Sequence, residues 1–537
     1  MKNYFIYIFI VSFLLCAQVK ANDLNLNGLV FYGKKNKVDL EGYKDLCGIK
    51  LECIDVPDQK CFCEKMKTFL GKPISAQMIR EIKTKVIEYY KFHKYPLIVV
   101  MTPEGQDVTS GVLRVLILKG KLGNLKACGA RYYSNEKIAC EIRTCPGEEI
   151  DFYKMMDDLT WINRNPYLDT DIVYSPAEEI GFTDVTLQTC DRFPVKVYAG
   201  YENTGNIIGG NSRYLVGVNA GNFFSLDHQL RYLFITASDF NRWYAHTGTY
   251  MLPFRWRHIL EVNGAYSESR PDLDVTMDMK GYGWRVGSRY IMPFNFCSIE
   301  SEHFFGYQFK RTNNFLTFAQ TLVFDKDFDI SQFVLGYVAK KSYYCGQTAA
   351  GITLYISPGD MTKYNTTEIF EQERPGAQSD YIYGEFYFDQ YLQFWKGFSW
   401  VFNFKAQLSS EKLLPLEAFS LGGYYTVRGY DENEVIGDNG FLIKNEIRSR
   451  PWCWFKRMKG QLQGLIFVDF GLVADADKNI ISSNSTVLAS IGPGLRYQLC
   501  ENLLARADYG WQLHDINRLI DESNKSGRFH VAVTLSF

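Results

Sequence analysis

The sequence predicts an all-β transmembrane barrel preceded by two small α+β domains. Three observations carry that expectation. From Pro194 onward, short stretches alternate apolar and polar residues one after another, without a helical period. Ahead of Pro194, two consecutive stretches each run through a strand, two helices and further strand. Beyond residues 1–21, no apolar run reaches the ~20 residues that a spanning helix needs. Any membrane span is then built from strands, because only helices and closed barrels satisfy their backbone in lipid.

At 537 residues the chain is longer than one ordinary domain. Its formal net charge of −1 gives no bulk attraction to nucleic acid. Aromatic residues make up 16% of the chain, with 36 Tyr and 39 Phe, which suits the aromatic girdles of a membrane barrel. A soluble aromatic-rich β protein shares that composition, so the strand pattern has to decide. The sequence contains no G-x-S-x-G, H-E-x-x-H or Walker loop, and its seven His are scattered. Neither an enzyme nor a cofactor is expected.

Residues 1–21 read as a secretory signal peptide. Lys2 supplies the positive start, residues 4–15 the apolar core, and Val19-Lys20-Ala21 a cleavage site, with cleavage after Ala21. Cys16 offers lipid attachment as an alternative, but Leu15 is larger than such sites usually accept. Residues 22–46 are polar and Gly-spotted, without a helical period, and are expected to be an N-terminal extension.

Residues 47–120 form the first α+β domain. A strand-like run at 48–55 precedes a helix near 62–70. A second helix at 75–90 spaces Ile79, Ile82, Val86 and Tyr90 along one face, with Ser75 as N-cap. Two strands follow at 97–102 and 111–118. The first carries Val99 and Val100. Its edge and the helix bearing Ile79 and Val86 form the expected groove for an extended partner segment, bound by strand addition. Residues 121–193 repeat the plan, with a strand at 122–127, helices at 134–142 and 151–163, and a last strand at 185–189. Pro166 stops the second helix.

Residues 194–537 form the barrel. Val195, Val197, Ala199 and Tyr201 alternate with Lys196, Tyr198, Gly200 and Glu202. Phe398, Trp400, Phe402 and Phe404 alternate with Ser399, Asn403 and Lys405. An apolar face against lipid and a charged face towards a wet lumen is what such a barrel requires. A soluble sandwich alternates as well, but with the apolar face inward. The last strand lines up Phe529, Val531, Val533, Leu535 and Phe537 on one face.

Within the barrel, residues 421–441 read LGGYYTVRGYDENEVIGDNGF and suggest a long folded loop. Val427, Arg428, Gly429 and Tyr430 form its core. The strand at 461–472 then places Phe467, Asp469 and Gly471 on the face of Gln461 and Gln463. With the apolar face against lipid, Asp469 points into the lumen, where Arg428 can meet it.

V-R-G-Y followed by F-x-D-x-G resembles the signature of the outer-membrane superfamily that includes BamA-like insertases and two-partner secretion transporters. The resemblance implies that the loop folds back into a barrel of about 16 antiparallel strands and that Arg428 contacts Asp469. Gly71-Lys72-Pro73-Ile74 and Gln106-Asp107-Val108-x-x-Gly111-Val112-Leu113 resemble POTRA domains of the haemolysin-activator type. So do Asn163-Arg164-Asn165-Pro166 and Gly181-Phe182-Thr183-Asp184 in the second copy. Two POTRA copies fit the secretion branch, whereas assembly factors carry three or five. The terminal aromatic resembles the sorting signal of outer-membrane barrels, which implies handling by the barrel-assembly machinery. The plug helix that such transporters often carry is not visible in residues 22–46.

The resemblance implies an outer-membrane pore, with POTRA domains in the periplasm, that captures an unfolded exported partner and secretes it through the barrel. The partner would be a secreted protein, β-helical and encoded nearby, and its folding outside would drive transport. An outer-membrane insertase is the alternative, and a passive porin fits the POTRA domains poorly. The family does not explain the cysteines. Eight (Cys47, Cys53, Cys61, Cys63, Cys128, Cys140, Cys145, Cys190) precede the barrel and four (Cys297, Cys345, Cys453, Cys500) lie in it. An oxidising compartment favours disulfides, within the chain or between chains, but the spacing does not select a pairing. Cys61-x-Cys63 and Cys140-x4-Cys145 lack the spacing and His partners of a zinc site, so no metal is expected.

Overall fold

The computed structural model describes residues 24–537 apart from 35–36, 39–42, 44–45, 94, 206–208, 271–276, 297–298, 319–320, 456–459, 477–484 and 517–525. The expected leader and its expected cleavage site lie outside the described residues. The chain divides into two units, residues 1–192 and 193–537.

The first unit holds two sheets. Strands β1 (Gly28–Tyr32), β2 (Gly48–Glu52), β3 (Ile98–Met101) and β4 (Val112–Lys119) associate in the order β2-β1-β4-β3. Helices α1 (Gln59–Lys67) and α2 (Ala76–Phe92) cover one face. Ser75 caps α2 by accepting from the Met78 N–H at 3.1 Å. Phe62, Met66, Ile82 and Val86 from the helices pack on Leu29, Phe31, Leu113, Val115 and Ile117 from the sheet.

Strand β1 corrects the expectation for residues 22–46. The sheet includes Gly28, ahead of the expected domain start at Cys47, and β1 lies inside the sheet between β2 and β4. All five residues of β1 are buried, because Val38, Tyr43, Leu46, Met101 and Leu118 cover the opposite face around Val30, Tyr32, Val112 and Leu116. A strand buried on both faces reads as a continuous apolar run, and five residues give no period to detect.

The second sheet contains β5 (Lys121–Cys128), β6 (Leu168–Pro176) and β7 (Phe182–Asp191), ordered β5-β7-β6, with helices α3 (Asn135–Cys140) and α4 (Phe152–Ile162). Strands β5 and β7 are parallel, and β6 runs antiparallel to β7. Only Gly120 separates β4 from β5, so there is no flexible linker between the sheets. The family-like phrases turn out to be structural staples. Asn163 receives the Thr170 N–H at 2.8 Å and donates to the Thr170 carbonyl at 2.9 Å. Asp184 receives the Asn124 N–H at 2.7 Å. Gln106 accepts the Arg114 N–H at 2.8 Å and donates to the Arg114 carbonyl at 3.2 Å.

The second unit is a closed barrel of 16 antiparallel staves. One stave is interrupted. Asn439–Arg448 and Trp452–Phe455 both pair with Gly460–Ala474, on either side of a break containing Pro451, which has no N–H to donate. Ser449 bridges that break, accepting from Gly464 N–H at 3.1 Å and Gln463 Nε2 at 2.7 Å. Closure comes from the last strand, Gly527–Ser536, pairing with the first, Val195–Glu202. The polarity is the reverse of a soluble protein. Val197, Val216, Phe305, Ile466, Val468 and Leu535 are exposed on the outer wall, while Gln332, Asp469, Ser490, Asp508 and His530 are buried inside. That inversion separates a lipid-facing barrel from a sandwich.

Strands Met277–Phe296, Ile299–Phe318 and Thr321–Tyr343 run to 20, 20 and 23 residues. A tilted span takes ~9–11 residues, so these three rise well clear of the hydrocarbon. One end of the barrel has short turns, and the other has the longest connections, residues 359–379 and 410–438. Cys345 and Cys500 sit in the short turns and Cys453 lies near another, all exposed. The eleven described cysteines are free thiols, and Cys297 lies outside the described residues.

Phe537 extends the closing joint. Its N–H donates to the Val197 carbonyl at 2.8 Å, and its carbonyl accepts from the Val197 N–H at 3.1 Å. Deleting Phe537 removes both bonds from a joint with only five register pairs, Ala532↔Glu202 to Ser536↔Tyr198. The level of heat-modifiable barrel in outer membranes is expected to fall several-fold. Normal levels would show that assembly does not use this residue.

Candidate functional site

The connection between strands Ser399–Ser409 and Asn439–Arg448 turns back into the lumen. Its arms pair as a short ribbon, Phe419–Leu421 with Val435–Gly437, and hold residues 422–434 as a compact tip. Gly422 and Gly423 have φ of 107° and 104°, which side chains disfavour, and they let the chain reverse at the tip's base.

Each residue of V-R-G-Y has a separate task. Val427 is buried with Phe419, Leu421, Tyr430, Leu442, Val473 and Leu488, an apolar knot between ribbon and wall. Arg428 is 0% exposed. It grips Asp469 with two parallel bonds, Nε to Oδ2 at 2.7 Å and Nη2 to Oδ1 at 2.8 Å. Gly429 lies against the wall at Gly510. A Cβ on Gly429 would sit 2.7 Å from the Gly510 carbonyl oxygen, and one on Gly510 would sit 2.7 Å from Arg428 C. Tyr430 donates its hydroxyl to the His514 carbonyl at 2.7 Å.

The F-x-D-x-G strand answers residue for residue. Alternation puts Phe467, Asp469 and Gly471 on one lumenal face. The Arg428 guanidinium stacks 3.5 Å above the Phe467 ring, Asp469 accepts its fork, and the missing side chain of Gly471 leaves room for Leu421. The sequence-level pairing of Arg428 with Asp469 matches this geometry.

The cluster is larger than the sequence reading anticipated. Arg428 Nη1 also donates to Glu446 at 2.6 Å and lies 3.6 Å from Asp508. Arg448 holds Glu446 at 2.6 Å, Arg496 holds Asp508 at 2.6 Å, and Arg506 holds Asp508 at 2.9 Å. These residues share the lumenal parity that identified Asp469. Parity gives the face of a strand but not its height in the barrel, so it could not bring them to one point.

The loop also spans the closing joint. Tyr425 donates to Glu202 of the first strand at 3.1 Å. On the last strand, His530 Nε2 accepts the Gly429 N–H at 3.0 Å, and Arg528 pairs with Asp431. Asn203 supports the joint from the side, donating to the Phe529 carbonyl at 2.6 Å and accepting the Val531 N–H at 2.8 Å.

The remaining sequence-level residues lie elsewhere. Phe529, Val531, Val533 and Leu535 face outward on the last strand, and Phe537 is exposed beyond it. Val99 and Val100 lie on β3, an edge of the first sheet, as the groove requires. Val86 is buried within the core and Ile79 packs partly against it. As placed, Val86 is not available to line an open groove. Among the described residues no group of His, Cys, Asp and Glu could hold a metal ion.

Comparison with known proteins follows from this geometry. The family model "Haemolysin secretion/activation protein ShlB/FhaC/HecB" matches residues 181–497. The chain is 21% identical over 470 residues to the heme/hemopexin transporter protein HuxB of Haemophilus influenzae, covering 80% of this chain and 76% of that one. It is 22% identical over 388 residues to the outer membrane transporter CdiB of Escherichia coli O6:K15:H31, covering 65% and 59%. Among solved structures, CdiB from Escherichia coli superposes with a TM-score of 0.73 at 16% identity, over 97% of this chain and 92% of that chain. BamA from Haemophilus ducreyi lacking its first three POTRA domains gives 0.51 at 12% identity, over 90% and 98%.

Removing either member of the central pair leaves a buried charge short of a partner, a loss of roughly 3–5 kcal/mol in loop docking. Arg428→Ala and Asp469→Ala are each expected to abolish partner secretion while the inserted barrel stays detectable by heat modifiability. The double variant should be no worse than either single one, since contacting residues are not additive. Wild-type secretion by both single variants would detach the loop's function from this pair.

Proposed function

This chain belongs to the haemolysin secretion/activation family, and we propose that it uses the edge of its first POTRA sheet for capture and the displaced Arg428 loop for passage. It is a two-partner secretion transporter: an outer-membrane β-barrel with periplasmic POTRA domains that moves a partner protein across the outer membrane. It is a transporter and not an enzyme.

The observation that carries the proposal is the loop itself. Residues 410–438 occupy the lumen, and the buried charges around Arg428 fasten their tip beside the apolar knot of Phe419, Leu421, Val427 and Tyr430. A plug held this way can leave without unravelling the barrel, whose strands close on one another independently. Capture before the lumen uses β3, which pairs with β4 on one side only and so has unpaired backbone groups on the other. Main-chain recognition of an unfolded chain needs no sequence match. The captured segment then enters the lumen as the loop withdraws, and folding of the partner outside makes the step directional. That partner is a large secreted protein with β-helix repeats, encoded beside this chain. Export removes the leader after Ala21, and the barrel-assembly machinery inserts the barrel among outer-membrane lipids.

Proline tests the capture edge. Neighbouring residues on an edge strand alternate their N–H groups between the sheet and solvent, so one of Val99→Pro and Val100→Pro removes an outward donor while sparing the ladder. That variant is expected to bind an amino-terminal fragment of the partner several-fold more weakly, with the far-UV signature unchanged. Undiminished binding by both folded variants would move capture away from β3.

A further inference from the structure

The wall and the folded loop line an open-sided cavity of about 300 Å³ in the lumen. Arg285, Arg289, Lys310 and Lys405 line it, facing the carboxylates Glu385 and Glu417. Both carboxylates are already engaged. Lys310 pairs with Glu417, which also accepts from Gln332 at 3.0 Å and Tyr383 at 2.6 Å. Lys405 lies 3.0 Å from Glu385.

The two arginines are left over. Among the described residues, neither guanidinium has a hydrogen bond or an ion pair; Arg289 lies over the Phe304 ring, 5.2 Å from its centroid, with Glu261 opposite it in register but not bonded to it. Arg285 stands directly opposite Lys310 across neighbouring strands, and since Glu417 already answers Lys310, Arg285 is the cation of this like-charge pair with no carboxylate bonded to it. Arg289 follows two pairs along the same lumenal face, beyond Gly287. Donors without partners come from the loop as well. Thr426 lines the cavity and its hydroxyl oxygen is buried without a hydrogen bond.

We propose that this cavity is an oxyanion site, in which the Arg285 and Arg289 forks hold a phosphate, sulfate or carboxylate group and Thr426 completes the shell. Guanidinium forks match the two oxygens of such groups. Two sources carry this chemistry: a free inorganic oxyanion, and an Asp or Glu side chain of a polypeptide in the lumen. Because Thr426 belongs to the loop and the arginines to the wall, an anion bound between them favours the docked loop. Withdrawal of the loop and loss of the anion are then linked, each promoting the other.

The test uses the full mature chain in detergent, with Arg285→Gln/Arg289→Gln as the variant and heat modifiability as the check on folding. Inorganic phosphate is titrated by calorimetry, and a hexaglutamate peptide is titrated in parallel. Saturable phosphate binding, weakened about tenfold or more in the folded variant, assigns the site to free oxyanions. Saturable binding of hexaglutamate alone, with the same loss in the variant, assigns it to carboxylate side chains. If neither probe saturates the wild-type protein, or if the variant binds as tightly, the site does not exist.

Discussion

A guanidinium with no exposure to solvent is the constraint around which the barrel interior is arranged. Arg428 cannot lose its proton, so its burial has to be answered by fixed negative charge and by a full set of acceptors. Asp469, Glu446 and Asp508 supply that charge from three different strands. A buried ion pair contributes little net stability, because desolvation offsets most of the attraction, but it penalises any alternative arrangement heavily. The cluster therefore specifies one seat for the loop more than it strengthens the barrel. Gly429, Gly510 and Gly471 serve the same end by letting two backbones and Leu421 approach where any side chain would collide.

The loop and the barrel differ in how they are held. Neighbouring staves share long ladders of backbone bonds, whereas the first and last strands share five register pairs. The loop crosses that short joint, with Tyr425 on one side and His530 and Arg528 on the other. Seating the loop thus reinforces the weakest joint of the wall. Unseating it removes the reinforcement and leaves the ladders intact, so the movable part and the permanent part are separable in energy.

Much of this was legible because a barrel obeys a period of two. Once the outer face of residues 461–472 is identified as apolar, Asp469 must point inward, and the motif directs it to Arg428. The position of Glu446 and Asp508 beside them depends on strand tilt and register across several staves, which no single strand records. Strand β1 escaped for the opposite reason: buried on both faces, it has no alternation to read. The helix face bearing Ile79 and Val86 was correctly seen as apolar, but an apolar stripe is also what a core requires, and Val86 serves the core.

A plug seated by a buried charge poses a difficulty for transport, since withdrawing Arg428 would strand three carboxylates in the wall. The wall carries their replacements. Glu446 is already bonded to Arg448, and Asp508 to Arg496 and Arg506. Asp469 is the exception while the loop is seated, and its neighbour in register on the next strand is Lys444. That ammonium donates to the Tyr425 carbonyl at 2.9 Å, a bond to the loop itself. If the loop leaves as proposed, Lys444 would lose Tyr425 as Asp469 loses Arg428, and the two stand opposite each other across one pair of strands. The exchange returns part of the cost of withdrawal.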